Sequence, residues 1–199
     1  MPRFLGSSDD VLVDVALSVV AAVTKTRIAV ALLSMSAAAF VARITHESYT
    51  STAIIPTQGD VPTKGFGSTV NADGSRVKMG ERIDPVSAVR LALTHIQRDD
   101  ARIKQCIGPA VPLHQAEFDV YTELAYNIGA TTFCTNKKTG GPGVIPRTLR
   151  AGDYVGACNA ILQYKFAAGY DCSTPGNRRC SGVWKDRLRL HAICMEAQK

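Results

Sequence analysis

The alternation of apolar and polar positions divides the chain into a small, turn-rich part and a larger helical part. Residues 54–83 are rich in Gly, Pro, Thr, Asn and Asp, which is typical of short strands and tight turns, and "ADGS" favours a hairpin. From Pro85 onward, apolar residues recur at helical spacing, with Asp84 as the expected N-cap. The pattern therefore predicts an α+β protein in which a small β-containing lobe precedes a helical lobe.

Further helices are predicted in the second half of the chain. Helical spacing extends from about His114 to Ile128, where Gly129 ends the helix. Two more helices are expected near residues 153–166 and 182–195, with the turn-rich segment "GYDCSTPGNRRC" between them. The 199 residues are enough for one domain with its own core, divided into two lobes.

An apolar run without charged residues extends from Ile28 to Ala42, between a basic flank at Lys25 and Arg27 and a further cation at Arg43. A firmly anchored membrane helix needs about 20 strongly apolar residues, and this run is shorter and diluted by alanine and serine. Three interpretations stay open: a cleaved secretory signal, a buried core helix, or a weak anchor that can leave the membrane. In the anchor interpretation, the basic flank stays cytoplasmic and the rest of the chain is exported.

The cysteines indicate an oxidising compartment. Their number is even, and no pair is spaced as CxxC, which favours three disulfides over six buried free thiols in a cytosolic protein. The sequence cannot choose among the possible connectivities, although two of the cysteines bracket the turn-rich "STPGNRR" and could pair locally. The six are Cys106, Cys134, Cys158, Cys172, Cys180 and Cys194.

The net charge of +6 limits the classes of partner. Acidic and basic residues cancel within residues 1–27, so the excess charge belongs to the rest of the chain. A basic surface suits nucleic acid, an anionic membrane or an acidic wall polymer. Nucleic acid is the least favoured of these, because there is no aromatic–basic stripe, no zinc-type spacing and no Walker loop.

Five stretches, in order, resemble motifs of the phage-type lysozymes, the muramidase endolysins of tailed bacteriophages. They are "HES", "VPTKGFGST", "ELAYNIG", "LRAGDYVGAC" and "TPGNRR", and the resemblance covers about residues 44–194. It implies a lysozyme-like fold and a monomeric hydrolase that cuts the β-1,4 bond between MurNAc and GlcNAc in peptidoglycan. No metal or other cofactor is implied.

The apolar run is similar to the signal-arrest-release anchors of exported endolysins. This similarity implies a cytoplasmic leader at residues 1–27, an anchor at residues 28–44 and a catalytic domain at residues 45–199. The enzyme would be tethered, inactive, to the host inner membrane and become active in the periplasm after release. The anchor contains no cysteine, so activation by disulfide exchange is not expected, and refolding of the released segment is the favoured switch.

The resemblance also implies catalytic roles. Glu47, in "HES", would be the general acid, protonated because it is partly buried at the lobe junction. Asp60 would be the second carboxylate, and Thr63 would hold the attacking water. The sequence departs from the family here, because the slot of the second carboxylate aligns near Pro56. Without the resemblance, Glu47 would be interpreted as a surface residue on the first turn of a helix, and Asp60 as a residue that caps a turn.

Three residues are expected to support the site. Arg178, in "TPGNRR", matches the arginine that pairs with the catalytic glutamate of the family, although a solvated turn residue is an equal alternative. Asn127 and Tyr126, in "ELAYNIG", are expected to line the floor of the cleft.

Two rival functions remain open. A lytic transglycosylase would use Glu47 alone, and Pro56 in the slot of the second carboxylate supports that alternative. A wall-binding protein that keeps the lysozyme fold without activity is the other.

Overall fold

The computed structural model describes residues 26–56 and 60–199. Within these ranges the chain is an α+β protein whose helices are α1 (Ala37–His46), α2 (Pro85–Ile107), α3 (Gln115–Ile128), α4 (Ala130–Cys134), α5 (Val144–Arg150), α6 (Tyr154–Ala160) and α7 (Ser181–Glu196). Strands pair two by two, β1 with β4, β2 with β3 and β5 with β6. They are β1 (Ile28–Ala29), β2 (Thr50–Ile54), β3 (Thr63–Gly65), β4 (Pro112–Leu113), β5 (Phe166–Ala167) and β6 (Tyr170–Asp171).

The small lobe is built on the antiparallel pair β2–β3, in which Thr50 lies opposite Gly65 and Ile54 opposite Thr63. The predicted turn at "ADGS" is confirmed, since the amide of Asn71 donates to the carbonyl of Ser75 at 2.8 Å. Short strands and turns hold this lobe, as its Gly- and Pro-rich composition predicted.

The helical lobe surrounds α3, whose Phe118, Tyr121, Leu124 and Ala125 are completely buried. The predicted start of α2 is confirmed, because the side chain of Asp84 accepts a hydrogen bond from the amide of Ser87 at 3.0 Å. The predicted end of α3 at Gly129 is confirmed as well.

Two details of the helical lobe differ from the sequence-based expectation. The short helices α4 and α5 were not predicted, because each is too short to show a clear periodicity. The helix expected near residues 153–166 ends sooner, as α6 passes into one turn of 3-10 helix at Ile161–Gln163.

Residues 26–36, called here the N-terminal strap, belong to the folded domain. Ile28 and Ala29 of β1 pair with Leu113 and Pro112 of β4. One 3-10 turn follows, and Val30 and Leu33 are buried in the core. The apolar segment 28–44 is therefore not one continuous helix in this fold; it consists of a strand, a 3-10 turn and most of α1.

The predicted leader at residues 1–27 lies outside the described residues, apart from Thr26 and Arg27. In the part of the chain that the structure describes, no helix combines the length and the apolar character needed to cross a membrane.

The six cysteines form three disulfides, which confirms the expectation from their even number. Cys106–Cys134 joins α2 to α4, and Cys158–Cys194 joins α6 to α7, with Cα–Cα distances of 5.5 and 5.6 Å. The third pair, Cys172–Cys180, closes the loop before α7, as its local spacing suggested. The bonds thus link elements of the helical lobe, where all six residues lie.

Candidate active site

Glu47 lies at the junction of the two lobes. It is the C-cap of α1, where its amide donates to the carbonyl of Arg43 at 3.1 Å, and β2 begins three residues later. Its side chain is 35% exposed, so the carboxylate is accessible to a bound molecule but partly shielded from bulk water.

Arg43 is the ion-pair partner of Glu47, with 3.2 Å between Nη2 and Oε1. The Arg43 side chain is only 5% exposed, and its guanidinium lies over the ring of Tyr126, 3.2 Å from the ring centroid. A cation on an aromatic face is favourable, and more so when it is shielded from water. Tyr126 is thus part of the site, through Arg43.

The other oxygen of Glu47 faces a glycine. A Cβ built on Gly67 would lie 3.2 Å from Oε2, and the φ of Gly67 is +74°, a conformation that other residues adopt at a cost. The "GFG" of the sequence therefore allows β3 and its following turn to approach the acid closely.

A cavity of about 260 Å³ opens beside Glu47. On α3 it is lined by Glu123 and by Asn127, the residue predicted to line the floor of the cleft. The rest of the lining comes from Arg43 of α1 and from four residues of α7: Gly182, Val183, Asp186 and Arg187.

A second cavity, of about 310 Å³, lies on the small-lobe side of the site. Gly67 and Tyr126 line it, and both adjoin residues of the first cavity: a Cβ built on Gly67 would lie 3.2 Å from Oε2 of Glu47, and Tyr126 stacks on Arg43. The Glu47–Arg43 pair is therefore adjacent to residues of both cavities. The other residues that line the second cavity are Ser68, Thr69, Val70, His95, Arg98 and Asp99.

The α7 wall of the first cavity carries a charge network that the sequence analysis missed. Asp186 accepts hydrogen bonds from Arg187 and, at 2.8 Å, from Arg189, and Arg189 also pairs with Glu123. Asn127 donates to Asp186 at 3.4 Å. Burial lowers the pKa of Arg187, whereas the Asp186 charge acts in the opposite direction. The i,i+3 spacing of Asp186 and Arg189 was the signal available in the sequence.

Within residues 26–56 and 60–199, neither Asp60 nor Thr63 forms a side-chain hydrogen bond or ion pair with Glu47. Asp60 is exposed, and its carboxylate accepts a hydrogen bond from the neighbouring amide of Val61 at 2.9 Å. Thr63 is half-buried and begins β3. Strand β3 pairs with β2, and β2 begins three residues after Glu47.

Arg178 is exposed in the loop before α7, and the ion pair expected of it is instead made by Arg43. The physical reason is local: Arg43 precedes Glu47 by four residues on α1, a spacing that places two helical side chains on the same face. That spacing was readable in the sequence, but the stack on Tyr126 was not.

Comparison with known proteins gives one consistent result. The family model described as phage lysozyme matches residues 45–181. The endolysin of Salmonella phage P22 is 29% identical over 120 residues, which are 60% of this chain and 76% of that protein.

Solved structures agree in fold. The endolysin from Escherichia coli O157:H7 phage FAHEc1 superposes with a TM-score of 0.65 at 23% identity, over 83% of this chain and 96% of that one. The active form of the P1 phage endolysin Lyz superposes with a TM-score of 0.64 at 17% identity, over 99% and 98% of the two chains. With Glu47 lining a cavity beside α3 and α7, the family match over residues 45–181 shows that the chain belongs to the phage lysozyme family of glycoside hydrolases.

Proposed function

We propose that the chain is an endolysin that hydrolyses the β-1,4 bond between MurNAc and GlcNAc in bacterial peptidoglycan and so lyses the host cell. The observation that carries the proposal is Glu47, a half-shielded carboxyl group at the lobe junction, in a chain that matches the phage lysozyme family over residues 45–181. The net charge of +6 suits an acidic wall polymer.

Hydrolysis of a glycosidic bond needs an acid that protonates the leaving oxygen and a group that directs water to the anomeric carbon. Glu47 is the acid in this scheme. Asp60 and Thr63 direct the water, and the pairing of β3 with β2 supports this role for Thr63, because β2 follows closely on Glu47. Water held on the far face of the sugar gives inversion, for which the two carboxyl groups stand roughly 6.5–9.5 Å apart.

A lytic transglycosylase that uses Glu47 alone is the second candidate. It is favoured by one observation: the Asp60 carboxylate is exposed and accepts a hydrogen bond from its own turn, at the Val61 amide. A transglycosylase leaves 1,6-anhydro-MurNAc ends, whereas a hydrolase leaves reducing ends.

The test compares wild type, Glu47→Gln and Asp60→Asn on purified peptidoglycan, with mass spectrometry of the product ends. Asp73→Asn is the matched control, because Asp73 is another exposed turn aspartate that accepts hydrogen bonds locally, from Ser75. The two-carboxylate hydrolase predicts reducing ends from wild type, loss of activity in both site variants and none in the control.

Two other outcomes would support the alternative functions. Loss in Glu47→Gln alone, with anhydro ends, identifies the transglycosylase. Binding to peptidoglycan without turnover by wild type identifies a non-catalytic wall-binding protein.

The second part of the proposal concerns residues 28–44, which tether the inactive enzyme to the host inner membrane until release into the periplasm. Weak apolar character supports this, since the segment is uncharged from Ile28 to Ala42 but rich in alanine and serine. The folded domain has a place for the released segment, because Val30 and Leu33 fill its core. Release is thus coupled to completion of the domain.

Cell fractionation tests the tether. Ala37 and Ala38 are exposed on α1, so Ala37→Leu with Ala38→Leu raises the apolar character of the segment without disturbing packing in the folded domain. We expect the double variant to stay longer in the membrane fraction and to lyse cells later than wild type. Ala101→Leu, on the exposed face of α2, is the control. A wild-type chain that never enters the membrane fraction contradicts the tether.

A further inference from the structure

We infer that Arg43 is a positioning residue that determines which oxygen of Glu47 donates the proton, and that Tyr126 holds Arg43 in that role. The inference rests on the proposed function, because it concerns the proton that Glu47 delivers. It departs from the sequence-based expectation, which assigned the ion pair to Arg178.

Arg43 has little freedom to move. Its side chain is almost fully buried, one face of the guanidinium lies against the Tyr126 ring, and Nη2 binds Oε1 of Glu47. A planar guanidinium that is stacked and hydrogen-bonded at its edge keeps a defined orientation, unlike the flexible ammonium of lysine. The guanidinium therefore acts as a fixed donor toward one carboxyl oxygen.

The two oxygens of Glu47 are consequently different. Oε1 accepts a hydrogen bond from a cation, which disfavours a proton on that oxygen. Oε2 faces Gly67, the residue that lines the second cavity, while Glu47 itself lines the first. The proton is thus assigned to Oε2, the oxygen beside Gly67, and Gly67 lines the second cavity.

Charged groups from three helices share the cavity with Glu47. They are Arg43 from α1, Glu123 from α3, and Asp186 and Arg187 from α7. Gly67 of the small lobe is beside Glu47 but lines the second cavity. Glu123 and Asp186 are paired with Arg189, and Arg187 is paired with Asp186, so Arg43 is the cation in direct contact with Glu47. Loss of Arg43 therefore removes the donor that binds Oε1 of Glu47 and leaves that oxygen free to change its orientation.

The test is the measurement of kcat and KM on peptidoglycan for four variants: Arg43→Gln, Arg43→Lys, Tyr126→Phe and Tyr126→Leu. Arg43→Gln is expected to change kcat rather than KM, because it removes the donor that orients the acid. Its kcat falls at least tenfold, since the acid is no longer held in one orientation.

The remaining variants separate charge from geometry. Arg43→Lys keeps the positive charge but still lowers kcat, because a lysine cannot reproduce the stacked, forked geometry of the guanidinium. Tyr126→Leu removes the aromatic face on which Arg43 stacks, so its kcat is expected to fall as in Arg43→Lys and to lie below that of Tyr126→Phe, which keeps the face.

Thermal unfolding of each variant shows whether it folds. Should Arg43→Gln fail to fold, Arg43→Lys and the tyrosine pair still decide the question. An unchanged kcat in folded Arg43→Gln, or equal kcat in Tyr126→Phe and Tyr126→Leu, overturns the inference. Full activity of Glu47→Gln instead overturns the proposed function itself, so the two failures are distinguishable.

Discussion

Arg27 of the N-terminal strap forms an ion pair with Glu117 in the first turn of α3, with 3.2 Å between Nε and Oε2, although the Glu117 side chain is completely buried. Gln198 donates to the other carboxylate oxygen at 2.7 Å, and the amide of His114 donates to Oε2 at 2.8 Å. A buried carboxylate is costly unless it is paired and hydrogen-bonded. The N-terminal strap thus supplies the counter-charge of a residue in the central helix.

The first prediction follows from this pair. Arg27→Met is expected to lower the free energy of unfolding by about 3 kcal/mol, because it leaves the Glu117 charge buried with hydrogen bonds but no cation. The double variant Arg27→Met with Glu117→Leu is expected to recover most of that loss. Urea denaturation measures both.

Lys199→Met is the control for the first prediction. The pair of Lys199 with Glu196 is exposed on both sides, and such pairs contribute about 0–1 kcal/mol. If Arg27→Met lowers the free energy of unfolding no more than Lys199→Met does, the Arg27–Glu117 ion pair does not hold the N-terminal strap.

The second prediction concerns the contact of Gly67 with Glu47. Gly67→Ala places a Cβ against Oε2 of the acid and is expected to reduce kcat at least tenfold. Gly74→Ala is the matched control: its φ of +88° imposes a similar backbone strain, but a Cβ there would meet nothing within 4 Å. Equal activity of the two variants, measured on peptidoglycan with thermal unfolding alongside, would contradict a role for this contact.

The third prediction compares two disulfides of different loop length. Cys158–Cys194 spans 36 residues and Cys172–Cys180 spans 8, so chain entropy alone predicts losses of roughly 4 and 2.5 kcal/mol when each is removed. Cys158 and Cys194 are also completely buried, which enlarges the first loss. Urea denaturation of the two paired Cys→Ala variants should therefore rank them in this order; the reverse order would show that the loop before α7 contributes more to stability than the core bond.

The fourth prediction is a pH dependence at Asp100. Burial raises the pKa of this carboxyl group, although the Met35 amide, which donates to it, acts in the opposite direction. A raised folded-state pKa means that stability is complete below the unfolded value of about 4 and is lost as the pH rises through the folded value. Asp100→Asn does not ionise, so its stability relative to wild type should increase between pH 4 and pH 7.

Asp73→Asn is the comparison for the fourth prediction, because the stability contribution of Asp73 is expected to change with pH in the opposite direction. Hydrogen bonds from Ser75 lower the pKa of Asp73, so its contribution is present above the unfolded value and is lost as the pH falls. Denaturation of Asp100→Asn and Asp73→Asn at several pH values distinguishes these two pH dependences. Parallel stability curves for Asp100→Asn and wild type would exclude a titrating Asp100.

Local features of this fold were predictable because neighbouring residues determine them. The start of α2 at Asp84 and Pro85, the end of α3 at Gly129 and the turn near Gly74 each depend on backbone preferences within a few residues. The short local disulfide between Cys172 and Cys180 was accessible for the same reason.

The position of the apolar segment 28–44 was not predictable to the same degree. Its composition is compatible with a lipid environment and with a protein core, because both remove apolar side chains from water. Only packing decides that Val30 and Leu33 enter the core while Ala37 and Ala38 remain exposed.

The sequence by itself determined the family, the α+β class, the number of disulfides and Glu47 as the candidate acid, because these depend on short motifs and on composition. Only the tertiary structure decided the partners of the charged groups. Arg43 rather than Arg178 pairs with Glu47, Tyr126 supports Arg43 from a different helix, and the α7 network lines the cavity. The stack of Arg43 on Tyr126 and the pair of Arg189 with Glu123 join residues that are far apart in the chain, and their energies depend on burial and orientation, which exist only after the lobes have packed.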